Sequence, residues 1–128
     1  MPRSSIQSLR KLIRFTPRIK VWLETDGEYV FGFGVCEILQ AVDRTGSIKQ
    51  AAVELGKSYR YIWGRIKEAE QRLGQSLVET HVGGKGTQRS FLTPIACHLV
   101  RNFLAMRGRM YELVREEYDR RFRDVAGC

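Results

Sequence analysis

The chain has 128 residues and a formal net charge of +8, which fits one domain with an extension and favours a polyanionic partner. Six basic side chains and no acidic one lie in the first twenty residues, so the charge is concentrated in an N-terminal arm. An acidic membrane surface would attract the same arm, so charge alone leaves the partner open. Because no apolar run could span a membrane or form a signal-peptide core, we expect a cytoplasmic protein.

The cysteines and histidines do not suggest a chemical site. Cys36, Cys97 and Cys128 are widely separated and lack a CxxC pair, as expected of thiols in a reducing compartment. His81 and His98 have no cysteine or carboxylate at metal-ligand spacing, so we predict no metal and no other cofactor. No nucleophile, base and orienting group form a recognisable set, and we therefore predict no enzymatic activity.

In chain order, a β-hairpin and a helix follow the basic arm of residues 1–17. Apolar residues alternate with polar or aromatic ones over residues 19–24, which is the periodicity of a strand. Asp26-Gly27 is a favoured tight turn, and residues 29–31 return as the second strand. A helix is predicted from about residue 35 to residue 44, with its apolar side chains facing inward.

The segment after this helix predicts two helices joined by a tight turn. Ser47 and Ser58 each precede an apolar pattern and can cap a helix, while Gly56 ends the first helix in the left-handed conformation. Small side chains at Ala51 and Ala52 allow the two helices to pack closely. This is the helix-turn-helix pattern, in which the second helix enters a DNA major groove. The competing interpretation is an ordinary helical hairpin with a solvated charged face.

The second helix, residues 58–73, has an apolar face and a basic, aromatic face. Its apolar side chains recur at steps of four, three and four and would face the core: Ile62, Ile66, Ala69 and Leu73. We predict that the other face offers these residues to a major groove: Ser58, Tyr59, Arg60, Tyr61 and Arg65. Arg60 and Arg65 are the candidates for bonding a guanine edge or a phosphate. Trp63 is expected to pack between helices.

A glycine-rich hairpin is predicted after the second helix. Residues 77–80 and 90–92 form its strands, and the tip at residues 81–89 contains three glycines, as in the wing of a winged helix. We predict contacts with phosphates or a minor groove from these wing residues: Lys85, Thr87, Gln88 and Arg89. Ser47 and Lys49, which begin the first helix of the pair, would contact the DNA backbone. A P-loop is excluded because Lys85 precedes a glycine and a strand.

A long C-terminal helix begins at Thr93 and Pro94 and is expected to reach about Arg123. Its length would be on the order of 45 Å at about 1.5 Å per residue. The apolar positions are spaced four, three, four and three: Leu99, Phe103, Met106, Met110 and Leu113. Such a stripe on a helix too long for one small domain predicts a homodimer. The alternative is that the stripe packs against the chain's own hairpin and first helix.

Residues 35–104 resemble the N-terminal DNA-binding domain of the molybdate-dependent regulator family (ModE) and, more distantly, LysR-type regulators. The resemblance rests on an ordered set of motifs: Gly46-Ser47, Ala51-Ala52, Ser58-Tyr59, Trp63, Leu77-Val78-Glu79, Gly83-Gly84-Lys85-Gly86 and Leu92-Thr93-Pro94. Thr87-Gln88-Arg89 stands where that family has a longer glycine run. Full-length molybdate regulators continue into oxyanion-binding domains, and since this sequence ends at Cys128, we expect no small-molecule sensor domain. The resemblance implies a dimeric transcription factor and leaves its effector open.

Together these patterns predict a mainly α fold with small β elements. The expected architecture is a winged helix-turn-helix with an N-terminal β-hairpin and a long C-terminal dimerisation helix. The predicted domains are the basic arm at 1–17, the hairpin with the DNA-binding domain at 18–93, and the dimerisation helix at 94–128.

The predicted function is a sequence-specific, double-stranded DNA-binding transcriptional regulator, a nucleoid-associated cytoplasmic homodimer. It would recognise a pseudo-palindromic site with half-sites about one helical turn, roughly 34 Å, or a multiple apart. One alternative is an interaction adaptor that uses its basic surface on an acidic protein. Another is a single-stranded nucleic-acid binder, since exposed aromatic rings such as Tyr59 and Tyr61 can stack on bases.

Overall fold

The structure, a computed structural model, describes residues 15–122, so residues 1–14 of the predicted arm and Cys128 lie outside the described residues. The elements follow one another in this order: β1 (Trp22–Thr25), β2 (Glu28–Gly32), α1 (Phe33–Thr45), α2 (Ile48–Leu55), α3 (Tyr59–Leu73), β3 (Val78–Val82), β4 (Gln88–Leu92) and α4 (Pro94–Phe122). The predicted mainly α fold with small β elements is confirmed. The described residues divide into two compact units, residues 21–105 and a second one formed by residues 15–20 together with residues 106–122.

The first hairpin forms at the predicted turn. Asp26 and Gly27 have φ angles of 53° and 79°, the left-handed pair that a two-residue hairpin turn prefers. β1 and β2 are antiparallel, with Trp22 opposite Gly32, and a bulge shifts the register after Leu23. All of β1 is exposed, whereas the end of β2 is buried. The second strand is therefore the one that joins the core.

The core of the first unit links this hairpin to the beginning of α4. Phe31 of β2 meets Phe103 of α4 edge to face, with ring centroids 5.2 Å apart. Phe103 is only 2% exposed, and Leu99 packs against the same cluster. Of the predicted dimer stripe, Phe103 is thus covered by the chain's own core and Leu99 is partly covered. At Phe103 and Leu99 the structure follows the alternative that the sequence left open.

The helix pair forms with the predicted caps. The Ser47 Oγ accepts a hydrogen bond from the Gln50 amide, and the Ser58 Oγ accepts one from the Tyr61 amide, each at 3.1 Å. Gly56 ends α2 with a φ of 67°, in the left-handed region. The caps and the glycine therefore fix where α2 ends and where α3 begins.

A second apolar cluster holds α3 against α1 and α2. Ile62 and Ile66 of α3 are buried in it, and Ala69 and the partly buried Leu73 continue this face along the helix. Ala51 and Ala52 are also buried in the cluster, as their small size predicted. Since this face of α3 is occupied, its opposite face is directed to solvent.

The wing hairpin is joined to the helix pair at its base. β3 and β4 are antiparallel, with Val78 opposite Leu92 and Val82 opposite Gln88. The Ser90 amide of β4 donates to the carbonyl of Gly46, just before α2, at 2.8 Å. This bond fixes the wing base beside the N-terminal end of α2.

Residues of the second unit include the C-terminal half of α4. The Tyr118 hydroxyl donates to the carbonyl of Phe15 at 2.9 Å, and the Phe15 and Phe122 rings lie 6.3 Å apart. Hydrogen bonds from Arg120 and Arg121 lower the pKa of the exposed Glu117 carboxyl to about 2. Within residues 15–122, no helix is both long and apolar enough to cross a membrane.

Candidate nucleic-acid interface

One line of side chains runs along the outer face of α3. Arg60, Gly64, Lys67 and Gln71 are spaced four, three and four residues apart, so they share one face, opposite the buried isoleucines. Arg60, Lys67 and Gln71 are exposed, and a Cβ added at Gly64 would meet no other atom within 4 Å. Glycine is therefore not required there by packing. It leaves a gap between two cationic side chains where a base edge or a backbone can approach closely.

Sequence reasoning did not single out Gly64 and Gln71 as part of this face. The signal was present, because the outer line has the same spacing as the buried stripe and lies half a turn away from it. Lys67 also lies on this face and is not among the DNA contacts predicted from the sequence. Its ammonium pairs with Glu70 at 3.1 Å, so a DNA phosphate would compete with that carboxylate.

Three exposed aromatic rings flank the outer line. Tyr59, Tyr61 and Trp63 are 51%, 48% and 45% exposed. The expectation that Trp63 packs between helices is therefore wrong. The Lys67 ammonium lies 5.6 Å from the Trp63 ring centroid, and the Lys57 ammonium lies 5.5 Å from that of Tyr61. The result is a surface on which cations and aromatic rings alternate.

The two arginines predicted to contact a groove have different surroundings. Arg60 is exposed on the outer line, near the N-terminal end of α3. Arg65 lies on the side of the helix, half-buried, with its guanidinium 5.8 Å from the Tyr29 ring centroid. Its Nε is buried without a hydrogen-bond partner among the described residues. Only Arg60 is thus presented on the outer face.

The N-terminal end of α2 brings together the predicted backbone contacts. Lys49 is exposed, and Ser47 is half-buried, with its oxygen engaged in the cap. The Arg89 side chain from the wing base lies over Gly46, where an added Cβ would be 3.1 Å from the Arg89 Cζ. Gly46, with a φ of 72°, therefore leaves room for this arginine. The Arg89 side chain of the wing thus lies beside the residue that precedes the N-cap of α2.

The tip of the wing is closed by its own hydrogen bonds. The Gly83 amide donates to the Thr87 carbonyl at 2.6 Å, and the Thr87 hydroxyl donates to the Gly84 carbonyl at 3.2 Å. Lys85 occupies the left-handed region with a φ of 65° and is exposed, as is Gln88. Thr87 thus shapes the tip, while Lys85 projects a charge from it.

Two acidic residues near the helix pair are already engaged. Glu54 of α2 accepts from the Arg44 Nε at 3.1 Å, and this hydrogen bond lowers the pKa of its carboxyl below the ordinary value. Glu70 accepts from the amides of Leu77 and Val78 at 2.7 and 3.2 Å, which holds the start of β3. These carboxylates position elements of the domain. Within residues 15–122, no group of histidine, cysteine and acidic side chains could hold a metal ion.

Residues 35–96 match the family described as the bacterial regulatory helix-turn-helix protein, lysR family. The match spans α1 to the beginning of α4, including the outer face of α3 and the wing. The matched residues are similar to a LysR-type helix-turn-helix domain, and the winged helix-turn-helix fold predicted from the sequence is confirmed.

Particular relatives also confirm the resemblance to ModE. The chain is 34% identical over 80 residues to the molybdenum transport protein ModE of Herbaspirillum seropedicae, covering 62% of this chain and 30% of that protein. It is 32% identical over 77 residues to the molybdenum-pterin-binding protein MopB of Rhodobacter capsulatus, covering 60% and 28%. The chain thus spans less than a third of the length of either relative.

Two solved structures share the fold. One is the CbnR DNA-binding domain in complex with DNA, with a TM-score of 0.52 and 23% identity over 68% of this chain and 98% of that one. The other is the BenM DNA-binding domain with the benA site 1 DNA, with a TM-score of 0.53 and 18% identity over 77% and 100%. At these identities the likeness establishes the fold.

Proposed function

We propose that this chain is a sequence-specific, double-stranded DNA-binding transcriptional regulator. α3 lies in a major groove, and the wing formed by β3 and β4 contacts the backbone or a minor groove. The observation that carries the proposal is the exposed outer line of α3, with Arg60 and Lys67 on either side of Gly64. The LysR-type domain supports it, as do the two structures of similar fold that contain DNA.

The side chains divide into base contacts and backbone contacts. Arg60 is the principal base contact, since an exposed arginine can bond both acceptors of a guanine edge. Ser58, Tyr59 and Tyr61 at the start of α3 complete the groove face. The backbone contacts come from α2 and the wing: Ser47, Lys49, Lys85, Thr87, Gln88 and Arg89. The meeting of Arg89 with the α2 end supports this grouping, because both can then approach one stretch of phosphates.

A homodimer through the C-terminal half of α4 is part of the proposal. Met106 is 37% exposed, and Met110 and Leu113, which continue the apolar spacing, are half-buried. Because Leu99 and Phe103 are used by the core, the contact between copies is confined to these three later positions. Two copies would present two α3 helices to a pseudo-palindromic site. The symmetry of the bound DNA sequence tests this part.

The rival functions have less support. An adaptor that binds an acidic protein does not require a gap at Gly64 between exposed cations. The matched family is regulatory, and we assign the chain no enzymatic role. We place it in the cytoplasm with the nucleoid, where its DNA would be.

The salt dependence of duplex binding tests the proposal. The affinity for a duplex should fall linearly on a double logarithmic plot against salt, with a slope of about −0.9 for each phosphate neutralised. Fluorescence anisotropy of a labelled duplex at several salt concentrations measures this slope. A Lys85→Gln, Arg89→Gln variant should have a shallower slope, while an Arg101→Gln variant, altered on exposed α4 surface, should match the unaltered chain. Duplex binding that is absent or independent of salt would favour the adaptor.

A further inference from the structure

A cavity of about 220 Å³ lies on one side of α3, away from its outer line. Its wall includes residues from α1, the turn before α3, and α3 itself: Gly34, Glu37, Lys57, Tyr61, Ile62 and Arg65. We call it the α3 side pocket. The polar groups of its lining are two cations, one phenol and one carboxylate. Because the cations outnumber the carboxylate, this lining favours an anion.

Arg65 lines the pocket and has an incomplete set of hydrogen bonds. Its Nε is buried and has no hydrogen-bond partner in the described part of the chain. The nearest carboxylate oxygen of Glu68 is 3.9 Å from its Nη1, beyond hydrogen-bond distance. A buried N–H without an acceptor is costly, because the group has lost its water. The Nε itself is closed off, but the Arg65 side chain lines the pocket and is 29% exposed, so an oxygen-rich ligand there would meet the accessible part of the guanidinium.

The other donors lie around the same space. Lys57 places its ammonium 5.5 Å from the Tyr61 ring centroid, so both side chains are held together at the wall of the pocket. A Cβ built on Gly34 would lie 4.0 Å from the Arg65 Nη2, so the first turn of α1 lies close to the guanidinium. That helix end has no side-chain cap and no acidic residue in its first turn, which adds a favourable field for an anion.

We propose that the α3 side pocket binds a single phosphate group, held by Arg65, Lys57 and Tyr61. Arginine and lysine are the cations best suited to phosphate, arginine through two parallel hydrogen bonds. The phosphate comes either from the DNA backbone beside the groove that α3 occupies or from a free phosphorylated ligand. The DNA source rests on the proposed function, whereas the free source does not. Arg65 is then a phosphate contact and not a base contact.

Binding of inorganic phosphate to the intact chain tests the pocket itself. Amide resonances of Gly34, Tyr61 and Arg65 should shift saturably in nitrogen–proton spectra when phosphate replaces chloride at constant ionic strength. Arg65→Gln should abolish the saturation, and Lys57→Gln, a change at an exposed position, should weaken binding about 10-fold. Arg101→Gln is the matched control and should leave the shifts unchanged. Thermal melting of each variant establishes that it is folded.

A second titration, with duplex DNA, identifies the source of the phosphate. If a DNA phosphate fills the pocket, Arg65→Gln should lose about 10-fold affinity for selected and random duplexes alike. Inorganic phosphate should then compete with DNA for the unaltered chain but not for this variant. If the ligand is a free one, phosphate should shift the same amides equally in the DNA complex. Two results together would overturn the proposal. The first is that the phosphate-induced shifts do not saturate, or that they persist in both Arg65→Gln and Lys57→Gln. The second is that Arg65→Gln binds DNA like Arg101→Gln. If the shifts saturate but the chain binds no duplex, the proposed DNA-binding function is wrong and the proposed phosphate site is retained.

Discussion

Arg60→Ala is expected to lower affinity for the chain's selected DNA site by about 5- to 150-fold, corresponding to about 1–3 kcal/mol. Its exposure on the outer line places the guanidinium where a base edge would lie, and alanine there removes both hydrogen bonds. Binding of random duplex should fall much less, since only the charge is lost there. Competition titrations with selected and random duplexes measure the ratio.

Arg65→Ala is the informative comparison for Arg60. Because Arg65 lies on the side of α3 and toward Tyr29, its loss should weaken selected and random DNA by similar factors. Arg101→Ala, which removes a charge from exposed α4, is the control for net charge. If Arg60→Ala also weakened both duplexes equally, Arg60 would be a phosphate contact and the assignment of the outer line would be wrong.

Phe103→Ala is expected to lower the free energy of unfolding by about 3–5 kcal/mol. The ring is 2% exposed and meets Phe31 at 5.2 Å, so its removal leaves a cavity between the hairpin and α4. Urea unfolding followed by circular dichroism measures the change.

Phe91→Ala provides the matched control for Phe103. Phe91 has the same side chain but is 43% exposed, so its loss should cost much less stability. Equal losses in the two variants would mean that the hairpin does not pack on α4. The two variants also test how far the folded domain extends, because Phe31 and Phe103 both lie outside residues 35–96, which match the family.

Local sequence signals predicted the helix pair well. Ser47, Ser58 and Gly56 act through bonds to residues within a few positions, so their roles follow from short segments of sequence. The Asp26-Gly27 turn is predictable for the same reason. These features needed no knowledge of the tertiary structure.

The spacing of the apolar residues of α4 did not predict which surface covers them. The pattern from Leu99 to Leu113 suits a second helix of another copy as well as the chain's own core. In the structure only part of this stripe is used by the chain's own core, since Phe103 packs on Phe31 of the hairpin. That contact joins residues 72 positions apart, and no local pattern specifies it.

The direction of a long side chain at the edge of a helix face was also unpredictable. Arg65 is adjacent to Ile66 and near the buried stripe, so its flexible stem can follow either the core or the solvent. In the structure its guanidinium lies over the Tyr29 ring and close to the first turn of α1. Trp63 shows the reverse, since a large ring expected to be buried is 45% exposed beside Lys67.

Selection from random duplexes by the intact chain tests whether α3 recognises a DNA sequence. After several rounds at moderate salt, sequencing of the retained DNA should give one shared motif. We expect an inverted repeat whose half-sites are about one helical turn or a multiple apart, and Arg60→Ala should relax the motif at a guanine position. Retained DNA with no shared motif, from a chain that is folded and binds duplex, would contradict sequence recognition by α3.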